Sequence, residues 1–237
     1  MKFQDKDGKL NHVWATSWGV STRLIGALIM VHSDDNGLVL PPKMATIQVV
    51  IIPIWKSDDQ KEQVVNLGNS IKQDLYQDCS VVLDDRDQYK PGYKFSEWEL
   101  QGIPLRIEIG PRDVENNQVV VVRRDTKEKI FVPVIELRNK INNLLVVMQK
   151  EMYDKAKALR EENTFMIDDY NEFKKAIDNP GGFLNSHWCG STECEQKVKD
   201  DTKATIRLIP FERKNEQGEC IVCGENSEVR VVFAKAY

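Results

Sequence analysis

The sequence predicts an α/β fold, a mixed β-sheet flanked by helices, followed by a small α+β module held by cysteines. Three observations carry that expectation. Residues 47–55 (IQVVIIPIW) are nearly continuous in apolar character, as a central parallel strand is. Val64, Leu67, Ile71 and Leu75 then recur at helical spacing, while Ile103, Leu105, Ile107 and Ile109 alternate with Pro104, Arg106 and Glu108 at the period of a strand. Further on, Cys189 and Cys194 form one close pair and Cys220 and Cys223 another.

Length and composition bound the answer. The 237 residues suit one or two domains with a packed core. At 41% hydrophobic and 30% charged, the chain has the balance of a soluble globular protein. No stretch reaches the roughly 20 apolar residues of a membrane span, and no signal-peptide core opens the chain. These features point to a cytoplasmic protein with no membrane partner. The net charge of −4 argues against generic binding to nucleic-acid phosphates but leaves room for a local, shaped site.

The elements follow in order. Residues 1–12 read as irregular and 13–17 as a short strand; a helix over 20–32 carries Leu24, Ile25, Leu28, Ile29 and Val31, with Ser21 as its cap. One strand and one helix cannot enclose a core, so the segment 1–45 calls for a partner outside itself. Residues 46–150 alternate strand and helix: strand 47–55, helix 59–77, strand 80–83, then a charged loop from Asp84 to Lys94 too polar for the core. Pro91-Gly92 signals a turn in that loop. A short helix over 95–101, capped by Ser96 and stopped by Gly102, leads to the strand 103–109. Gly110-Pro111 ends that strand and presents Arg112. Strands 119–123 and 129–132 flank a turn, and a helix over 133–163 buries a stripe from Val134 to Met152. In 151–237, the second half of that helix is a charged connector. A second helix ends near Ile177, before Asn179-Pro180-Gly181-Gly182, and strands follow at 204–209 and 229–234.

Two constellations carry chemistry. The strand 103–109 sets Arg106 and Glu108 on one face beside a helix containing Trp98. Such a surface has the donors and acceptors that nucleobase edges require. A wet sheet face on which Arg106 merely pairs with Glu108 has the same pattern. Arg123, Arg124, Lys127 and Lys129 fit either phosphate contacts or a solvated hairpin. The pairs Cys189-x4-Cys194 and Cys220-x2-Cys223, 25 residues apart, suit tetrahedral zinc; free or oxidised cysteines are the alternative. Gly224 permits the tight turn of a zinc knuckle, and a closed four-thiolate site gives the metal a structural role. Cys79 stands alone and reads as a small buried apolar residue, and His12 and His32 as structural histidines.

At this point a resemblance enters. DRDQYKPGYKFSEWELQGIPLRIEIGPRD resembles the anticodon-binding domain of prolyl-tRNA synthetases of the eukaryotic and archaeal type. WATSWGVSTRLIGALIMVHSDDNGLVLPP resembles motif 3, the last signature of a class II synthetase catalytic domain. The four cysteines resemble the sites of that family's C-terminal zinc module. The resemblance implies that Glu99, Arg106 and Arg112 read the guanines of the proline anticodon. It implies that Arg23 contacts ATP and that Thr16, Ser17, Trp18 and Gly19 line the proline pocket. It implies that the carboxylate of the C-terminal Tyr237 orders the catalytic site. Its expected partners are proline tRNA, proline, ATP and Mg²⁺.

The pattern departs from the family because motifs 1 and 2 have no counterpart in these residues. The chain therefore reads as a C-terminal portion, inactive alone and monomeric, of a dimeric parent. Two other classes stay open: a non-catalytic tRNA-binding protein derived from a synthetase, and a zinc-stabilised interaction module.

Overall fold

The computed structural model describes residues 1–211 and 216–235. They form two compact units, Met1–Gln149 and Lys150–Tyr237.

In the first unit, strands β1 (Lys2–Gln4) and β2 (Leu10–His12) pair as an exposed antiparallel hairpin. Its turn is tied by Asp5, whose carboxylate accepts the backbone N–H groups of Asp7 and Lys9 and the Asn11 amide. This local Asx bonding gives residues 1–12 an order that their polar composition does not suggest. Residues 13–17, expected as a strand, have no regular structure. Helix α1 (Arg23–His32) starts later than expected and is preceded by Thr22 rather than capped by Ser21. No residue of α1 is buried, and Trp14, Trp18, Leu24, Ile25, Ile29 and Met30 are exposed.

Beyond α1 the elements are β3 (Val49–Pro53), α2 (Asp58–Leu75), β4 (Val81–Leu83), α3 (Pro91–Leu100), β5 (Leu105–Ile109) and α4 (Pro111–Glu115). Strands β6 (Gln118–Arg123) and β7 (Lys129–Pro133), a 3-10 turn at Val134–Glu136, and α5 (Leu137–Glu162) follow. The sheet has the order β4-β3-β5-β6-β7, with β4, β3 and β5 parallel and β6 and β7 antiparallel. It is the mixed sheet that the apolar runs predict.

Both faces of the sheet are covered, because alternate residues of each strand meet different helices. Val49, Ile51, Leu105, Ile107 and Ile109 pack with Val64, Ile71 and Leu75 of α2 and with Leu137, Ile141, Leu144 and Met148 of α5. Gly68 lets α2 come close, since a Cβ there would lie 2.8 Å from Leu83 Cδ1. On the opposite face Val50, Ile52 and Ile103 pack with Phe95 and Trp98 of α3.

That second layer overturns three expectations. The segment from Asp84 to Lys94 is not all polar loop: Asp84 is 3% exposed and Lys94 1%. Pro91 is not a turn residue but opens α3, where its missing N–H is no loss, and Ser96 lies inside the helix, donating to Gly92 O. Arg106 and Glu108 do not line a wet face; both are buried, because α3 covers their side of the sheet. The C-terminal end of α3 is as expected. Gly102 adopts φ +75° and closes a Schellman motif, with Gly102 N–H donating to Glu99 O and Ile103 N–H to Trp98 O. A Cβ at Gly102 would approach Leu38 within 2.6 Å.

In the second unit β8 (Thr164–Met166), α6 (Tyr170–Asp178), β9 (Phe183–His187), α7 (Thr192–Thr202), β10 (Ala204–Leu208) and β13 (Arg230–Lys235) surround one core. A short ribbon of β11 (Gly218–Glu219) and β12 (Asn226–Ser227) lies between β10 and β13 in sequence. The sheet order is β10-β13-β9-β8. Phe173 and Phe233 meet edge to face at 5.3 Å in its core, with Ile177, Leu184, Val198 and Val231 around them. No helix among the described residues is long and apolar enough to cross a membrane.

Candidate nucleic-acid interface and cysteine cluster

Strand β5 and helix α3 build the first site. Arg106, the second residue of β5, points to the α3 side and lies over the Phe95 ring, its guanidinium carbon 4.2 Å from the centroid. Its Nε and Nη2 donate to Glu108 Oε1 at 3.0 and 2.9 Å, and Nη1 donates to Glu99 Oε1 at 2.8 Å. Three of the five N–H donors of the guanidinium are thus committed. Glu99 keeps a third of its side chain exposed, whereas Arg106 and Glu108 keep about a tenth. Lys129 approaches the other Glu108 oxygen at 3.6 Å. The sequence allowed an Arg106–Glu108 pair, though on a wet face, and gave no sign of its burial or of the bond from Arg106 to Glu99.

Arg124 closes the same region. Its Nη1 and Nη2 donate to the two Asp34 oxygens at 2.8 and 2.7 Å, and its Nε donates to Glu99 O at 3.0 Å. The guanidinium holds the Asp34 carboxyl far below the usual carboxylate range. Arg123, also buried, forks onto Asp125. Neither arginine belongs to a solvated hairpin, as the sequence allowed. Nothing in a sequence pattern marks Asp34 as a partner of a residue 90 positions away.

Arg112 is not brought to Arg106. It sits exposed on α4, in a concavity of about 640 Å³ that Trp55, Lys56, Gln60 and Asp113 also line. Asp113 is held in place, accepting from Gly110 N–H at 2.8 Å. Around the turn from β4 to α3, Asp84 accepts from Arg86 Nε and Trp98 Nε1, each at 2.8 Å, and Lys94 Nζ donates to Asp84 O at 2.9 Å. Burial would raise the Asp84 carboxyl, but Arg86, Trp98 and Lys94 together hold it down at about 2. Burial lowers the Lys94 ammonium despite Asp84 beside it. Arg86 also bonds Glu97.

Thr16, Ser17, Trp18 and Gly19 are exposed in the irregular run before α1, and Arg23 is exposed as its first residue. Tyr237 lies outside the described residues.

The cysteine cluster belongs to the second unit. Cys189 follows β9, Cys194 lies in the first turn of α7, and Cys220 and Cys223 occupy the turn of the β11–β12 ribbon. Gly224, at φ +76°, turns the knuckle, donating its N–H to Cys220 O at 2.9 Å. All four Sγ atoms fall within 4.8 Å of one another, and Cys189 is 3.7 Å from both Cys194 and Cys223. A tetrahedral metal with metal–sulfur bonds of about 2.3 Å needs sulfurs roughly 3.8 Å apart, so the set fits such an ion. None of the four is joined to another by a disulfide in this arrangement. Burial pushes the Cys189 and Cys194 thiols up. At Cys220 burial is outweighed by backbone groups of Cys223, Val222 and Cys189, which bring its thiol down to about 7. Cys79, by contrast, is buried alone and pushed up to about 11, an inert apolar side chain as expected.

Residues 48–144 match the anticodon binding domain family, and residues 170–237 match the family described as prolyl-tRNA synthetase, C-terminal. The chain corresponds to the C-terminal region of prolyl-tRNA synthetases. It is 52% identical to the proline–tRNA ligase of Christiangramia forsetii and 52% identical to that of Cytophaga hutchinsonii, each over 100% of this chain and 48% of the relative. It superimposes with a TM-score of 0.89, at 36% identity, on the crystal structure of prolyl-tRNA synthetase from Cryptosporidium parvum complexed with L-proline and AMP. That match covers 100% of this chain and 50% of the other. The chain thus spans about half the length of the prolyl-tRNA synthetases it matches, and the cluster at Glu99 and Arg106 lies within its anticodon binding domain.

Proposed function

We propose that this chain supplies anticodon recognition and a zinc-stabilised module to a cytoplasmic proline–tRNA ligase, which joins proline to its tRNA at the expense of ATP with Mg²⁺. The observation that carries the reading is Arg106, fixed between Glu99 and Glu108 inside the residues that match an anticodon binding domain. A guanidinium so held is pre-organised: its remaining donors suit guanine O6 and N7, and the exposed part of Glu99 suits the guanine N1 and N2 hydrogens. Arg112, exposed on α4, is assigned to the second guanine.

Cys189, Cys194, Cys220 and Cys223 would hold zinc, which supplies a cross-link between β9, α7 and the β11–β12 ribbon and leaves no open position for catalysis. Arg23 and residues 16–19 are assigned to ATP and proline. Their exposure, and that of α1 beside them, supports a role completed by residues beyond this chain. Tyr237 keeps its proposed place near the catalytic site. The chain alone is proposed to be monomeric and inactive, within a dimeric parent.

The deciding experiment titrates the chain with proline tRNA and with the same tRNA carrying a substituted anticodon, alongside zinc quantification. Preference for the native anticodon with one zinc per chain is expected. Equal binding of both tRNAs would overturn the anticodon assignment.

A further inference from the structure

The order of the sheet creates a crevice that the anticodon assignment does not use. The loop after β3 leads to α2 on one face, whereas the loop after the neighbouring β4 leads to α3 on the other. Adjacent parallel strands whose connections part in this way leave an opening at their carboxyl ends, the usual position of ligands in open α/β sheets. Here the opening has a volume of about 310 Å³ and is lined by Pro53, Trp55, Tyr89, Lys90, Pro91 and Lys94, with Asp87 and Gln88 at its edge. That volume is at the low end of the roughly 300–1,000 Å³ of ligand pockets, room for one nucleotide and not for a duplex.

Its walls have the chemistry of an unpaired nucleotide. Tyr89 and Tyr93 stack at 4.5 Å with 16° between their planes, and the Arg86 guanidinium lies 4.9 Å from the Tyr89 ring on the same turn. Lys61 and Lys94 stand 5.6 and 5.2 Å from the Trp55 ring. The position of Arg86 is enforced by Asp84 and Glu97, so the aromatic platform is built before any ligand arrives. Aromatic faces interleaved with cations are what single-stranded nucleic acid uses, the rings for bases and the cations for phosphates. Trp55 also lines the concavity of Arg112, so one indole ring borders both hollows.

We infer that this crevice takes one unpaired loop nucleotide flanking the anticodon, its base against Trp55 and Tyr89 and its phosphate near Lys90. The inference rests on the anticodon reading above and extends it to a residue of the RNA that the guanine contacts leave free.

The test measures binding of the full chain to a proline-tRNA anticodon stem-loop and to versions carrying an abasic nucleotide at each loop position outside the anticodon. One such position is expected to weaken binding about five- to 150-fold, the loss of one base–aromatic stack. Tyr89→Ala and Trp55→Leu should weaken the intact stem-loop similarly, yet add nothing when that nucleotide is abasic. Insensitivity of every flanking position, in a wild-type chain that still discriminates the anticodon, would overturn this inference alone and needs no variant to fold. A wild-type chain that ignores the anticodon, or binds neither RNA, would overturn the reading on which it rests as well.

Discussion

Asp34 and Arg124 form a two-pronged ion pair at 2.7 and 2.8 Å that fastens the segment after α1 to the turn that follows β6. The same segment is sewn on by backbone bonds, Leu38 N–H to Leu100 O and Leu40 N–H to Gly102 O. The Arg124 side chain is 3% exposed while Asp34 is 37% exposed, so the cost of breaking the pair falls on the arginine. Asp34→Ala strands a buried cation whose remaining acceptor among the described residues is Glu99 O. A destabilisation of about 3 kcal/mol is expected, at the lower end for an orphaned buried partner. Urea denaturation checks it, and a loss under about 0.5 kcal/mol would mean that the strap is redundant.

Asp84 sets a pH dependence. Its folded carboxyl sits at about 2, below the ordinary value of 3.8, so the folded state favours the charged form. Stability from this group is therefore complete above pH 4 and is lost as pH falls from about 4 to 2, by on the order of 2 kcal/mol. The difference in unfolding free energy between wild type and Asp84→Asn should shrink over that window. A difference constant from pH 5 to pH 2.5 would rule out Asp84 as its source.

Much of this was legible in the sequence, and the failures share one cause. The apolar runs at residues 47–55 and 103–109, the α2 and α5 stripes and the Gly102 stop are local patterns, and each yields its element, with strands trimmed to 49–53 and 105–109. The four cysteines were legible because metal chemistry demands few residue types at short spacing. Asp84, Lys94, Arg106, Glu108 and Arg124 were misjudged as solvent-facing, since composition prices a charge as exposed. Their burial depends on partners, and those partners (Asp34 for Arg124, Trp98 for Asp84) come from other elements. The hairpin at residues 2–12 was missed for a different reason, since one aspartate bonding its own turn leaves no hydrophobic period.

Metal removal should act on one unit only. The core around Phe173 and Phe233 is small, and the cysteine turn links β9, α7 and the β11–β12 ribbon. Stripping zinc with a chelator should unfold residues 150–237 and leave residues 1–149 folded, because the larger unit has its own two-sided core. Hydrogen exchange would show protection lost in β9, β13 and α7 and retained in β3 and β5. Cys220→Ser should mimic the chelator. Uniform loss of protection, or none, would contradict a structural zinc confined to the second unit.

The two arginines assigned to the anticodon call for different variants. Arg106→Ala leaves Glu99 and Glu108 without the cation between them, with Glu108 buried, so weak RNA binding by that variant would confound recognition with damage. Arg112 is exposed on α4, and its loss should leave the unfolding free energy within about 0.5 kcal/mol of wild type. Arg112→Ala is expected to weaken binding of proline tRNA by about 1–3 kcal/mol while barely changing that of a tRNA already substituted at the matching guanine. The two effects are thus non-additive, as a direct contact requires. Additive losses would make Arg112 a backbone contact, whose removal weakens every sequence alike and lowers the salt dependence instead. That outcome would move guanine reading away from α4 and leave it to the Glu99–Arg106–Glu108 cluster alone.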